Sequence, residues 1–237
     1  MNRSALQIVK PETLRAQVEN QLRAAIVNGE LPPGAKLIER ELCEKMGVSR
    51  SSLREALRKL EAEKLIVNIP HRGPEVASLT MQEASELYAL RRLLESYAAH
   101  EFTRLATDKQ VEALAQTVER LRLTAQKNNR SAVLVAKAEL YSILLGGCGN
   151  ALVQDILGGL LARVSLLRST SLMLPDRLPR SIEEIDELLQ RIQARDAKGA
   201  GESSYKHVQN AEIAALGVFK QQISPSPSPS PTLGEII

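Results

Sequence analysis

The chain has 237 residues, of which 43% are hydrophobic and 25% charged, enough for one or two globular domains with an ordinary core. Aromatic residues make up only 3%, with no Trp, which argues against an all-β sandwich or barrel. Two cysteines, Cys43 and Cys148, make no disulfide framework, and no apolar run reaches the ~18–20 residues of a membrane span. Met1-Asn2-Arg3-Ser4 leads into no apolar signal core, so a reducing cytoplasm is the expected compartment. The net charge of +3 is concentrated at one end. Residues 1–77 hold 13 Lys and Arg against 10 Glu and no Asp, and the remainder is balanced at 18 and 18. A basic focus of this kind suits nucleic acid.

In chain order, Leu14, Val18, Leu22 and Ile26 recur every fourth residue and predict a helix over 11–29, stopped at Gly29. Leu31-Pro32-Pro33-Gly34 is a turn, and a second helix is expected over about 38–46, ended by Gly47. Ser49 is a good N-cap for a third helix over 50–63, whose Leu53, Ala56, Leu57 and Leu60 follow helical spacing. Residues 65–69 and 75–77 predict two short strands around a Pro70–Pro74 turn. From residue 81 only helices are expected, over 82–106, 108–127, 130–145, 150–172, 179–198 and 201–222. Gly146-Gly147, Pro175, Pro179 and Gly199 are the expected breaks, and the short connections imply an antiparallel bundle. The tail from 223, with its Ser-Pro steps, is expected to be disordered and extended.

The second and third helices, joined at a glycine that can turn left-handed, form a helix-turn-helix pattern. Leu42, Met46, Val48, Leu53 and Leu57 can share one core, with Cys43 at the small position of the helix crossing. Arg50, Arg54 and Arg58 line one side of the third helix, with Ser51 and Ser52 in its first turn. Arginine can pair bidentately with guanine, and serine hydroxyls suit phosphates or base edges. Two readings of this row stay open, a recognition surface or a solvated helix face with Arg–Glu pairs. His71 and Arg72, at the tip of the predicted hairpin, suit a minor groove, or simply an ordinary polar turn.

Residues 11–77 resemble the winged helix-turn-helix of the GntR family of bacterial transcription regulators. The likeness is carried by Ile26-Val27-Asn28-Gly29-Glu30-Leu31-Pro32-Pro33-Gly34, Glu39-Arg40-Glu41-Leu42, Gly47-Val48-Ser49-Arg50 and Leu53-Arg54-Glu55-Ala56-Leu57-Arg58-Lys59-Leu60. The resemblance implies DNA contact through Arg40, Arg50, Ser51, Ser52 and Arg54. His71-Arg72-Gly73 is similar to the wing of FadR-type members, where a histidine enters the minor groove. Lys64 departs from the family, which usually has glycine there, and Pro70 and Pro74 make the wing unusual.

The remainder resembles the FCD domain of the FadR subfamily, through Tyr88-Ala89-Leu90-Arg91-Arg92-Leu93-Leu94-Glu95, the segment ending Gly149-Asn150, and Ser181-Ile182-Glu183-Glu184 through Asp196 to His207. Many FCD domains hold a divalent metal with one Asp and three His. Here those positions fall on Lys137, Tyr141 and Ile185, leaving only His207, so neither a metal site nor another cofactor is expected. The resemblance instead turns Arg91, Lys137, Tyr141 and His207 toward one cavity, a set suited to a carboxylate or another anion. The other reading lets Lys137 reach solvent and makes Tyr141 part of the core. Cys43 and Cys148 are better explained by packing and by a loop than by redox sensing.

The expected protein is mainly α: a DNA-binding domain over 1–77, a helical effector-binding and dimerisation domain over 78–222, and a tail over 223–237. It is expected to be a homodimeric, cytoplasmic regulator that binds a double-stranded operator and responds to a small, anionic effector. The rivals are an acyl-CoA sensor of the FadR type and a helical enzyme or adaptor that does not bind DNA. No nucleophile–base pair or phosphate loop supports catalysis.

Overall fold

Thr13 accepts a hydrogen bond from the Ala16 N–H and so starts α1, Leu14–Val27. The computed structural model describes residues 13–127, 129–171, 174 and 176–223. Expectations for the Ser-Pro tail beyond Ile223 and for a break at Pro175 therefore lie outside the described residues. The helix α2, Glu39–Met46, ends at Gly47, whose φ of 64° and ψ of 34° place it in the left-handed region, as the turn between two crossing helices requires. Ser49 accepts from the Ser52 N–H and caps α3, Arg50–Ala62, which buries Leu53, Ala56, Leu57 and Leu60. The strands β1, Ile66–Ile69, and β2, Gly73–Val76, pair antiparallel with Ile66 opposite Val76 and Ile69 opposite Gly73. The chain at Lys36 adds a further bridge to Glu75.

Six helices follow: α4 Met81–Leu105, α5 Asp108–Gln126, α6 Arg130–Gly147, α7 Ala151–Ser171, α8 Arg177–Gln193 and α9 Ala197–Ile223. Two begin with reciprocal caps, Thr80 with Glu83 and Thr107 with Gln110, in which the third helical side chain bonds back to the cap N–H. The long helices α4 and α9 run antiparallel, with Ser85 bonded to Glu212 at one end and Ser96 to the Gly201 carbonyl farther along. Arg122 on α5 reaches Asp186 on α8, and Arg120 reaches Glu139 on α6, so α5 is tied to both neighbours.

Several expected breaks move. Pro179 sits inside the first turn of α8, where a missing N–H breaks no helical bond. The break placed at Gly199 falls earlier, at Ala194–Asp196, and Gly199 lies within α9. Arg195 turns left-handed at φ 56° and donates to the Thr103 and Ala106 carbonyls at the end of α4. Asp196 accepts from the Gly199 N–H and begins α9. The helix α6 continues through Gly147, where Phe102 packs in the place of a side chain: an added Cβ would lie 2.6 Å from the Phe102 ring.

One apolar cluster joins the two ends of the chain. Val18, Leu22 and Ile26 of α1 and Leu53 and Leu60 of α3 are continuous with Val164 and Leu167 of α7 and Val208 and Ala215 of α9. A second cluster, with Phe102, Leu114, Leu121, Leu140, Ile185 and Ile192, fills the bundle between α4, α5, α6 and α8.

Candidate nucleic-acid interface and ligand chamber

The buried apolar stripe of α3 leaves Arg50, Arg54 and Arg58 on its exposed side. At the start of the helix the Ser49 hydroxyl lies 2.9 Å from that of Ser51 and 3.1 Å from that of Ser52, so three hydroxyls cluster at the first turn. Ser51 is exposed and Ser52 half-buried. Arg40 is exposed on α2. Arg54 Nε donates to both carboxylate oxygens of Glu39, each at 3.0 Å. Glu39 belongs to a segment the sequence singled out, yet nothing in its spacing assigned it a partner fifteen residues away.

The hairpin turn explains how the wing presents its tip. Arg72 N–H donates to the Ile69 carbonyl, closing a four-residue turn with Pro70 second and His71 third. His71 has φ 63°, the positive value demanded at the third place of a turn with proline second. His71 and Arg72 both remain exposed. Lys64, at the family's glycine position, is likewise left-handed at φ 59°. The backbone conformation that glycine would adopt freely is kept here with a lysine.

In the bundle, the four residues assigned to a common cavity are all buried. Arg91 Nε donates to Glu95 at 2.6 Å, a terminal nitrogen of Arg91 donates to the Tyr141 hydroxyl at 3.3 Å, and the guanidinium stands 4.9 Å from the Tyr88 ring centre. Burial opposes the Arg91 charge, but Glu95 outweighs it and holds the guanidinium's pKa above its ordinary value. Lys137 donates to the Ser181 hydroxyl at 2.5 Å and is 4% exposed, so it does not reach solvent. His207 Nδ1 lies 2.6 Å from Glu184, which also accepts from Arg177 and Asn210. Burial pushes the His207 pKa down to about 4, against the pull of Glu184. Burial raises the Glu184 carboxyl, but its bond to His207 prevails and holds it at about 2. At neutral pH the imidazole is therefore uncharged, donating from Nδ1 and leaving Nε2 as an acceptor.

Tyr141 and His207, with Glu95, Ser204 and a wall of Leu140, Leu144, Ile185 and Leu188, line a cavity of about 20 Å³, room for one water. Arg91 reaches it only through Tyr141 and Glu95, and Lys137 is directed to Ser181 on α8. A larger groove of about 330 Å³ lies on the surface between α8 and α9, lined by Arg180, Glu184, Lys206, His207 and Asn210. His207 thus faces both spaces. The sequence reading missed Glu95, Glu184, Arg177 and Ser181. Only Arg91–Glu95 carried a readable signal, the four-residue spacing of an opposite-charge pair.

The donor set does not fit a metal. An ammonium, a phenol and an isoleucine stand at the positions that the resemblance assigns to three of the ligands, so His207, with Nδ1 on Glu184 and Nε2 open, is the single imidazole of the set. Among the described residues no three His, Cys, Asp or Glu side chains are grouped as a metal requires.

Comparison with known proteins bears on both halves. The model for bacterial regulatory proteins of the gntR family matches residues 14–76, and that for the FCD domain matches residues 86–210. The uncharacterized HTH-type transcriptional regulator YdhC of Bacillus subtilis is 34% identical over 110 residues, 46% of this chain and 49% of that protein. The gluconate operon transcriptional repressor of Bacillus licheniformis is 32% identical over 108 residues, 46% of this chain and 44% of the other. In both matches the chain spans about half the length of the relative. The HTH-type transcriptional repressor RspR of Escherichia coli is 25% identical over 206 residues, 86% of this chain and 89% of that one. The solved structure of E. coli McbR/YncC shares the fold, with a TM-score of 0.79 at 24% identity over 89% of this chain and 99% of the other. With the two matched regions in the order and lengths that the helix-turn-helix and the bundle occupy, the chain belongs to the GntR family of bacterial regulators, in the branch that carries an FCD domain.

Proposed function

We propose that the protein is a transcription regulator that binds a double-stranded operator through residues 1–77 and is controlled by a small ligand bound within residues 78–222. The observation that carries this reading is the exposed row Arg50, Arg54 and Arg58 on α3, with Ser51 at its leading end and the His71-Arg72 turn beside it. In a helix-turn-helix the leading end of the second helix enters the major groove, while a wing reaches the adjacent minor groove. Fluorescence anisotropy with genomic fragments should give sequence-dependent binding that weakens steeply with salt. Equal affinity for every fragment would reject the operator reading and favour an adaptor, whereas turnover of a bound ligand would favour an enzyme. The reading places the protein in the cytoplasm with its DNA, and among the described residues no helix is long and apolar enough to cross a membrane.

The ligand class follows from buried charge. Arg91, Lys137 and Arg177 are buried cations around this chamber, His207 beside them is neutral, and such a set of donors suits an anionic group. A ligand larger than one water needs the 20 Å³ cavity to open, and Tyr141 and His207 then supply directional hydrogen bonds. One relative is named for a gluconate operon, an acid of this general class. A screen of organic acids for thermal stabilisation should find a ligand whose effect is lost in Lys137→Met. The leucine-lined wall favours an acyl chain as the second reading, and undiminished stabilisation in Lys137→Met would select it.

The unit of binding is a homodimer. Leu90, Leu93 and Tyr97 of α4 and Leu152 and Ile156 of α7 expose apolar side chains at helical spacing. Asn150, just before α7, donates to the Tyr97 hydroxyl and so adjoins the two faces. Two copies meeting there present two winged helices to a near-palindromic operator.

A further inference from the structure

Glu39 is a carboxylate on the first residue of α2, within the surface that the reading above assigns to DNA. A negative charge there repels phosphate, and an ion pair with so exposed a partner adds little to folding. Neither effect explains its presence; its geometry does. Both oxygens of Glu39 accept from Nε of Arg54, across from α2 to α3. The Glu39 side chain is the better covered of the two, at 28% exposed against 60% for Arg54, so the carboxylate is the fixed member of the pair. A guanidinium has five N–H donors, and engaging Nε leaves the four on the two terminal nitrogens, which form the fork that matches the O6 and N7 of guanine. Among the described residues Arg50 and Arg58, one turn to either side, have no carboxylate partner.

We propose that Glu39 is a positioning residue for sequence readout: it anchors Arg54 at Nε and aims its terminal nitrogens at one base pair of each operator half-site. Arg50 and Arg58, unanchored, can follow phosphates, whereas Arg54 is held in one direction and so discriminates. Glu39 then weakens affinity for DNA in general and sharpens preference at one position. The inference rests on the DNA-binding reading, and the experiment separates the two.

The full chain, its Glu39→Gln and Glu39→Ala variants, Arg54→Ala, and the Glu39→Gln/Arg54→Ala double variant are each used to select from a library of randomised duplex DNA. Affinities are then measured for the selected site and for each of its single base-pair changes. The expected result is that both Glu39 variants bind unselected duplex at least as tightly as the parent but lose discrimination about fivefold or more at one base pair per half-site. That base pair is the one Arg54→Ala also relaxes, and adding Glu39→Gln to Arg54→Ala changes its discrimination by less than about twofold. An unchanged selected site with either Glu39 variant overturns the positioning role while leaving DNA binding intact. A uniform loss of preference at every position assigns Glu39 a structural role and overturns it as well. Enrichment of no sequence by the parent chain rejects the DNA reading and this inference together.

Discussion

Replacing Arg50 by alanine removes a guanidinium at the leading end of α3 without touching the buried stripe of Leu53, Ala56, Leu57 and Leu60. Arg50→Ala is expected to weaken binding by about tenfold, nearly equally for the selected operator and for other duplexes, with the thermal midpoint unchanged. Wild-type affinity in an anisotropy titration would remove Arg50 from the interface. In the bundle, the pair His207 and Glu184 makes stability pH-dependent. Folding lowers both pKa values, from 6.5 to about 4 for His207 and from 4.5 to about 2 for Glu184. The unfolded chain therefore binds protons first, and stability, complete above pH 6.5, falls on acidification: through His207 down to about pH 4, and through Glu184 from about 4.5 toward 2. His207→Gln should flatten the thermal midpoint between pH 6.5 and 4 relative to the parent, and an unchanged slope would exclude His207 as its source. The roles of single residues were readable where they depended on neighbours three or four positions away, as with the Ser49 cap. Glu39–Arg54 and Glu184–His207 join separate helices, and no local spacing reveals such pairs.

Among the elements, each helix through α7 was legible to within a few residues, because apolar periodicity, helix-breaking glycines and the Ser49 cap agree. The boundary between α8 and α9 was misplaced for an identifiable reason. Gly199 was taken as the stop, but the terminating conformation belongs to Arg195, which tolerates φ 56° while its guanidinium satisfies carbonyls at the end of α4. That reward comes from another helix and is invisible in a local window. Asp196, three residues before the Gly199 N–H that it accepts, was the readable signal that went unused. Asp196→Ala should lower the thermal midpoint by about 2–4 °C through loss of the cap, and an unchanged melting curve would show that Arg195 alone fixes the corner.

For the molecule as a whole, the exposed faces of α4 and α7 predict that the full chain dimerises through its helical bundle. Light scattering at micromolar concentration checks this, and Leu93→Asp or Ile156→Arg should give monomers. A dimer that survives both substitutions would move the interface elsewhere. The mainly α architecture could be read from composition and periodicity, but the apolar cluster running from α1 and α3 into α7 and α9 could not, since it joins residues nearly two hundred positions apart. That cluster bears on protein engineering. Exchanging DNA-binding heads among regulators usually treats the connecting segment as a tether that can be cut and rejoined. A graft made here after Ala77 would strand Val164 and Leu167 in water and leave Val18 and Leu22 of the transplanted head against a foreign surface. A working chimera of this protein has to be designed as a repacked interface, carrying the α7 and α9 contact residues together with the head they support.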